Sequence, residues 1–423
     1  MLLGIILLLY LIAAPATALG ETESLRTRIC GAIAKDDITA VKSLFPGILQ
    51  SKAERHECSP LHFAVRRGKQ EIIRTILELG GDPNGKDMNG ITPLMYAAAS
   101  DEKNIAELLI DRGANPDTVN DNGYNALMLA INNGKVRTAL FLAERTADLN
   151  TRQKQGMTVL MYAAIEGNHR ILQYLLEKGA DPNIQDFSGA NALQWPAIRG
   201  DADCARLLLE HGAVVHARYS ENNTALHLAA NGNLAVTEML IRKGAPVNAE
   251  NDKGNTPLHV ACYHPCSEDY EKIVRLLIAH NAKINIKNRE GYTPLSYASI
   301  KGYLPIVKTL VSHGADVNTG NNRNVTPLIA SLVSGYDRSF TVAEYLISRN
   351  AAVDAATKDG LTPLMIAAGR KDSARITGVL LRAGADPQKK NRLGMSALDY
   401  ARRSGNSEVL RLLEASIHGA PRK

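Results

Sequence analysis

From residue 59 onward the hydrophobic and polar positions of this chain fall into a register that keeps returning. A Thr, Ser or Asn recurs at Ser59, Thr92, Asn125, Thr158, Asn191, Thr224, Thr256, Thr293, Thr326, Thr362 and Ser396. The first five steps are 33 residues each (92 − 59, for example), and the later ones are 32, 37, 33, 36 and 34. Two positions on stands a leucine every time, from Leu61 and Leu94 to Leu364 and Leu398. Three residues after it most units place a small one, such as Ala64, Ala97, Ala163 and Ala401. The pattern predicts a helix with its N-cap at the Thr, Ser or Asn, whose side-chain oxygen accepts from orphan backbone N–H groups. Proline, where it follows the cap, fits the first helical turn because its missing N–H is not needed there. The leucine points to the core, and the alanine lets neighbouring helices approach closely.

A second helix follows in each unit, ending in paired aliphatics such as Leu175-Leu176 and Leu208-Leu209. It stops at Gly113, Gly179, Gly212, Gly244, Gly314 and Gly384, each followed by alanine. The stop calls for a left-handed backbone, which glycine adopts without strain. Asn281 and Asn350 take the same place in two units, as the other residue type that tolerates this conformation. Asp-Pro-Asn or Asp-Val-Asn stretches come next, then a glycine-centred turn such as Asp87-Met88-Asn89-Gly90. One such unit cannot bury its own apolar face, so stability must come from stacking on its neighbours.

The first residues follow a different rule. Leu2 to Ile12 is an apolar run, no charged side chain precedes Glu21, and Ala16-Thr17-Ala18 offers small residues where a signal peptidase cuts. Residues 1–18 therefore read as a secretory signal peptide. A retained membrane anchor is the alternative, although the run is short of the roughly 20 residues a span needs. Export places the five cysteines, Cys30, Cys58, Cys204, Cys262 and Cys266, in an oxidising compartment, and their odd number leaves at least one unpaired within the chain. The net charge of +6 over 423 residues is mild, and aromatic residues make up only 5%. With no polybasic block and no stacking platform, nucleic acid is not an expected partner.

Cap, proline, helix, turn, helix, glycine and hairpin at this period together resemble the ankyrin repeat. The best matches are Thr256-Pro257-Leu258-His259 and Gly179-Ala180-Asp181-Pro182-Asn183. The resemblance implies an all-α repeat solenoid of helix-turn-helix units with β-hairpin tips. It divides the chain into an N-terminal linker and capping unit at 19–53, about eleven repeats over 54–415, and a tail at 416–423. The family's first-helix histidine survives only at His62, His227 and His259, with Met95, Met128, Met161 and others in its place elsewhere. Trp195-Pro196 replaces the usual residues of its helix, and the proline removes an early helical bond there.

The resemblance also implies where a protein partner would sit, along the concave face made by hairpin tips and first helices. On the tips this points to Met88, Lys154, Phe187, Arg289, Arg323 and Lys358. In the row just before each cap it points to Ile91, Tyr124, Met157 and Tyr292. Met88, Tyr124 and Phe187 are the expected anchors. The apolar pre-cap row has a second reading, in which it packs each hairpin onto its own helix.

Two units carry extra residues between their helices. The first insert holds His259, Cys262, His264 and Cys266, a set that admits a metal site or a Cys262–Cys266 disulfide, although the spacing fits no paired-ligand pattern. Asn222 and Asn324 lie in glycosylation sequons that coincide with the repeat's own turn and cap residues. No phosphate-binding glycine loop, nucleophile elbow or metalloprotease helix is present, and the repeats leave no length for a separate catalytic domain. The expectation is an exported, non-enzymatic, monomeric scaffold without cofactor, periplasmic or secreted. An effector acting on another organism's protein and a metal- or redox-linked protein are the other readings.

Overall fold

The structure, a computed structural model, describes residues 25–50, 59–264, 268–334 and 339–418. The expected signal at 1–18 lies outside them, as does Cys266. The chain divides into two compact units, Met1–Pro196 with Asp203–Val214, and Ala197–Ala202 with Val215–Lys423. The division falls beside Pro196, in the unit where the sequence breaks pattern.

The first unit opens with a helix pair, Leu25–Ala34 and Ile38–Gln50, that covers the first repeat. Repeats follow as paired helices, such as Pro60–Arg66 with Gln70–Glu78 and Val159–Glu166 with His169–Glu177. The second unit continues the series from Ala225–Ala229 with Leu234–Arg242 to Ala397–Ser404 with Ser407–His418. The last helix therefore runs past residue 415. First helices pack on first helices of the next repeat within each unit, and the repeated leucine sits at that seam. Ten of these leucines, Leu61 through Leu364, are at most 2% exposed. Leu398 is half-buried, in the last repeat of the described chain.

The caps act as the pattern predicts. The Asn125 side chain accepts from Met128 N–H at 2.9 Å and the Thr293 hydroxyl from Ser296 N–H at 3.2 Å. In the Trp195 unit the first helix starts late, at Gln194, and Gln194 Oε1 accepts from Asn191 N–H at 3.0 Å. Pro196 has no N–H to offer Ala192, which is why the turn before it does not close as α-helix. The helix stops are left-handed as expected, at φ +90° for Gly314 and +63° for both Asn281 and Asn350.

Where the stretch after a helix stop ends in asparagine, the side chain ties its repeat to the next one. Asn84 Nδ2 donates to Gly113 O and its Oδ1 accepts from Asn115 N–H, both at 2.8 Å. Asn285 repeats this with Gly314 O at 3.0 Å and Asp316 N–H at 2.9 Å. The side chain thus satisfies a carbonyl left open at the helix end and an N–H beyond it.

β-Hairpin tips were expected throughout. Among the described residues only one forms paired strands, Arg218–Tyr219 with Asn223–Thr224. Elsewhere the tip closes through bonds such as Asp87 N–H to Ile91 O and Gly90 N–H to Asp87 O, both at 3.0 Å, and it also bonds to the neighbouring tip. Two glycines separate backbone conformation from crowding. Gly314 (φ +90°) has open space where a Cβ would go, whereas at Gly291 (φ +82°) a Cβ would lie 2.6 Å from Asn322 N. Gly314→Ala is expected to cost about 1 kcal/mol for the left-handed residue alone. Gly291→Ala should add about 1–3 kcal/mol of steric cost. Denaturant midpoints of the two variants check the ordering.

Candidate protein-binding surface

Most of the described tips are built by a side-chain acceptor at the base. Asp87 Oδ1 accepts from Asn89 and Ile91 N–H, both at 2.9 Å, and Asn120 Oδ1 from Asn122 at 2.9 Å and Tyr124 at 3.0 Å. Successive tips then join through their backbones. In the first unit Asp121 N–H donates to Asn89 O at 3.1 Å, Lys154 to Asn122 O at 3.0 Å and Phe187 to Gln155 O at 3.0 Å. In the second unit Arg289 N–H donates to Lys253 O, Asn322 to Glu290 O and Arg392 to Asp359 O, each at 3.0 Å. The ladder fixes the tips relative to one another within each unit, so their side chains project from an ordered edge.

Tyrosines brace this edge from below. Tyr96 donates its hydroxyl to Asp87 Oδ2 at 2.9 Å, and Asn288 and Asn391 donate to the Tyr297 and Tyr400 hydroxyls, both at 2.9 Å. The family histidines connect neighbouring repeats. His227 Nε2–H donates to Asn255 O at 2.9 Å and His259 Nε2–H to Tyr292 O at 3.1 Å. Their Nδ1 atoms accept from the cap, Thr224 N–H at 3.2 Å and Thr256 N–H at 3.1 Å. Burial above all pulls both histidines down to about 4, against an ordinary 6.5.

Met88 (56% exposed) and Phe187 (76%) stand free at their tips, the latter with the Arg152 guanidinium 5.2 Å from its ring centroid. Lys154, Arg289, Arg323 and Lys358 are exposed as expected. Tyr124 differs from expectation. It is half-buried and its hydroxyl accepts from Tyr162 at 2.9 Å, so it braces the neighbouring repeat. Ile91, Met157 and Tyr292 are half-buried too. The Ile91 carbonyl accepts from His62 Nε2 at 2.9 Å, and Tyr292 stacks on Tyr297 at 5.4 Å. The Tyr124 and Tyr292 side chains thus meet tyrosines of the following helices, as the packing reading of the row has it.

One row escaped the sequence reading. Seven residues after the caps stand Ile198, Asn231, Tyr263, Ile300 and Val333, at the ends of first helices in the second unit. Ile198 (44%) and Tyr263 (45%) are exposed there, on the wall of a groove of ≈ 680 Å³ that Leu228, Tyr297, Ile300 and Lys301 also line. The signal was present in the same alignment, since large apolar residues occupy a position that holds Arg66 and Arg403 in the first and last repeats.

The insert that held the metal and disulfide candidates contributes Tyr263 and His264 to this groove. Both ring nitrogens of His259 are engaged in hydrogen bonds of the fold. Cys262 has 0% exposure, and burial raises its pKa above the ordinary thiol range. Cys266, its expected disulfide partner, lies outside the described residues. Asn222 and Asn324 are exposed at left-handed turn positions, φ +59° each.

Curated proteins give no match to this chain. The family model described as "Ankyrin repeats (3 copies)" matches residues 29–120, 112–186, 182–251, 231–321, 266–358 and 330–420. Among solved structures, the ankyrin repeat domain of Bcl-3, described as a unique member of the IkappaB protein family, is similar to 52% of this chain and 100% of its own. The identity is 29% and the TM-score 0.46. With family matches running from residue 29 to residue 420, the chain belongs to the ankyrin-repeat family.

Proposed function

We propose that this protein is an exported, non-enzymatic and monomeric scaffold that binds a protein partner along its tips and first-helix ends. Ankyrin repeats serve as protein-interaction surfaces, and the observation that carries the reading here is the ordered tip edge. Met88 and Phe187 project from backbones held by the ladder, so they lose little freedom on binding. Large apolar anchors among charged neighbours are what a protein interface uses. Export is supported by the apolar run from Leu2 to Ile12 and the small residues ending at Ala18. Among the described residues no helix is long and apolar enough to cross a membrane.

The test is affinity purification of the protein from its native compartment, alongside a Met88→Glu, Phe187→Glu variant. The expected result is a partner captured by the parent chain and lost, at least tenfold, by the variant with an unchanged melting temperature. Equal capture by both would move the site off the tips. N-terminal sequencing of the same preparation should begin at Leu19. A chain that keeps Met1 would exclude a cleaved signal.

A further inference from the structure

The groove of the second unit combines exposed apolar side chains with a lysine over an aromatic ring. Tyr292, Tyr297 and Tyr263 form a continuous aromatic wall, with ring centroids 5.4 and 5.2 Å apart. Ile198, Leu228 and Ile300 continue it across the repeats. The Lys301 ammonium lies over the Tyr263 ring, 4.3 Å from its centroid. Among the described residues no carboxylate pairs with it, and Glu221 of the groove is engaged by Lys253. The remaining acid of the groove, Glu290, sits at the tip end, beside Arg289 and one ladder step from the Asn322-Arg323 tip. Basic residues recur along the tips of this unit, at Lys253, Arg289, Arg323, Lys358 and Arg392, against Glu221, Asp252, Glu290 and Asp359.

We propose that this groove takes an extended acidic–apolar segment of the partner, with its large side chains on Ile198, Tyr263 and Ile300 and a carboxylate on Lys301. The proposal rests on the protein-binding reading and narrows it to one partner chemistry. A lysine held over an aromatic face, with no carboxylate of its own, can take an incoming carboxylate as a charge-assisted partner. Ile198, Tyr263 and Ile300 stand on three of four successive repeats, with Asn231 on the other, and repeats stack at roughly 10 Å, so Ile198 to Ile300 spans about 30 Å. That is the reach of about nine extended residues. The helix Pro257–Tyr263 ends at this groove, and Tyr263 and His264 line it.

Selection of displayed random dodecapeptides on the purified full chain tests this. The expected result is enrichment of sequences pairing Asp or Glu with Leu, Ile or Phe. A synthetic copy of the winner should bind at least tenfold more weakly to Lys301→Glu and to Tyr263→Ser, and within threefold to Lys301→Arg, with all variants melting like the parent. Enriched peptides without acids, binding unchanged by both disruptive substitutions, or no enrichment would each overturn the proposal. Peptides that respond to Phe187→Glu alone would overturn the groove while leaving the scaffold reading standing, and loss of that reading is read separately, from the native capture experiment.

Discussion

Leu160→Ala should lower the unfolding free energy by about 2–5 kcal/mol, the range for deleting a buried leucine side chain. Leu160 is 1% exposed in the helix Val159–Glu166, which packs on Ala126–Asn132 of the preceding repeat and on His169–Glu177 of its own. Leu172 and Leu175, from that second helix, have no exposure at all. A repeat is stable only through its neighbours, so a cavity at this seam weakens the contact inside the repeat and the contact to the previous one together. Lys154→Ala, on an exposed tip four residues before the cap, is the control and should stay within about 0.5 kcal/mol of the parent. Chemical denaturation of both variants gives the comparison. A Leu160→Ala midpoint equal to that of the control would remove Leu160 from the core.

Acid should destabilise the protein well before its carboxylates titrate. His227 and His259 are held near 4 in the fold, first by burial, while an unfolded histidine titrates near 6.5. Below 6.5 the unfolded chain takes up protons that the folded chain refuses, so unfolding is favoured. The stabilisation is complete above about pH 6.5 and disappears as pH falls from there through 4. Each histidine then accounts for about 3 kcal/mol. The geometry gives the reason, since Nδ1 accepts from the threonine cap and a proton there would break that contact. Methionine occupies this position at Met95, Met128, Met161 and Met365, so a His227→Met, His259→Met variant uses a residue the fold already accepts. Its stability should fall less steeply between pH 7 and 4.5. An unchanged slope would mean these histidines are not the acid-sensitive groups.

What the sequence made legible was whatever the repeat encodes locally. The caps, the leucine seam and the left-handed stops all depend on one residue and its own turn, and Asn281 and Asn350 adopt the glycine conformation their positions implied. What was hidden depends on which two side chains meet across repeats. Tyr124 reads as an exposed anchor from its place before a cap, yet Tyr162, 38 positions on, captures its hydroxyl. The tip ladder was hidden for the same reason, because its bonds join residues about one period apart and carry no local signature. The groove was half legible. Its apolar row stands in the alignment, but the exposure of Ile198 and Tyr263 and the placing of Lys301 on an aromatic ring follow from packing across repeats.

The central claim is that partners are held on the tips and first-helix ends, and position-specific photo-crosslinking tests it most directly. A photoreactive amino acid would be placed at 187, at 263 and, as the opposing case, at 177 on the exposed face of the helix His169–Glu177. Irradiation in the native compartment should give a covalent partner adduct from position 187 or 263 and none from 177. Adducts from 177 alone would place recognition on the second helices and contradict the account.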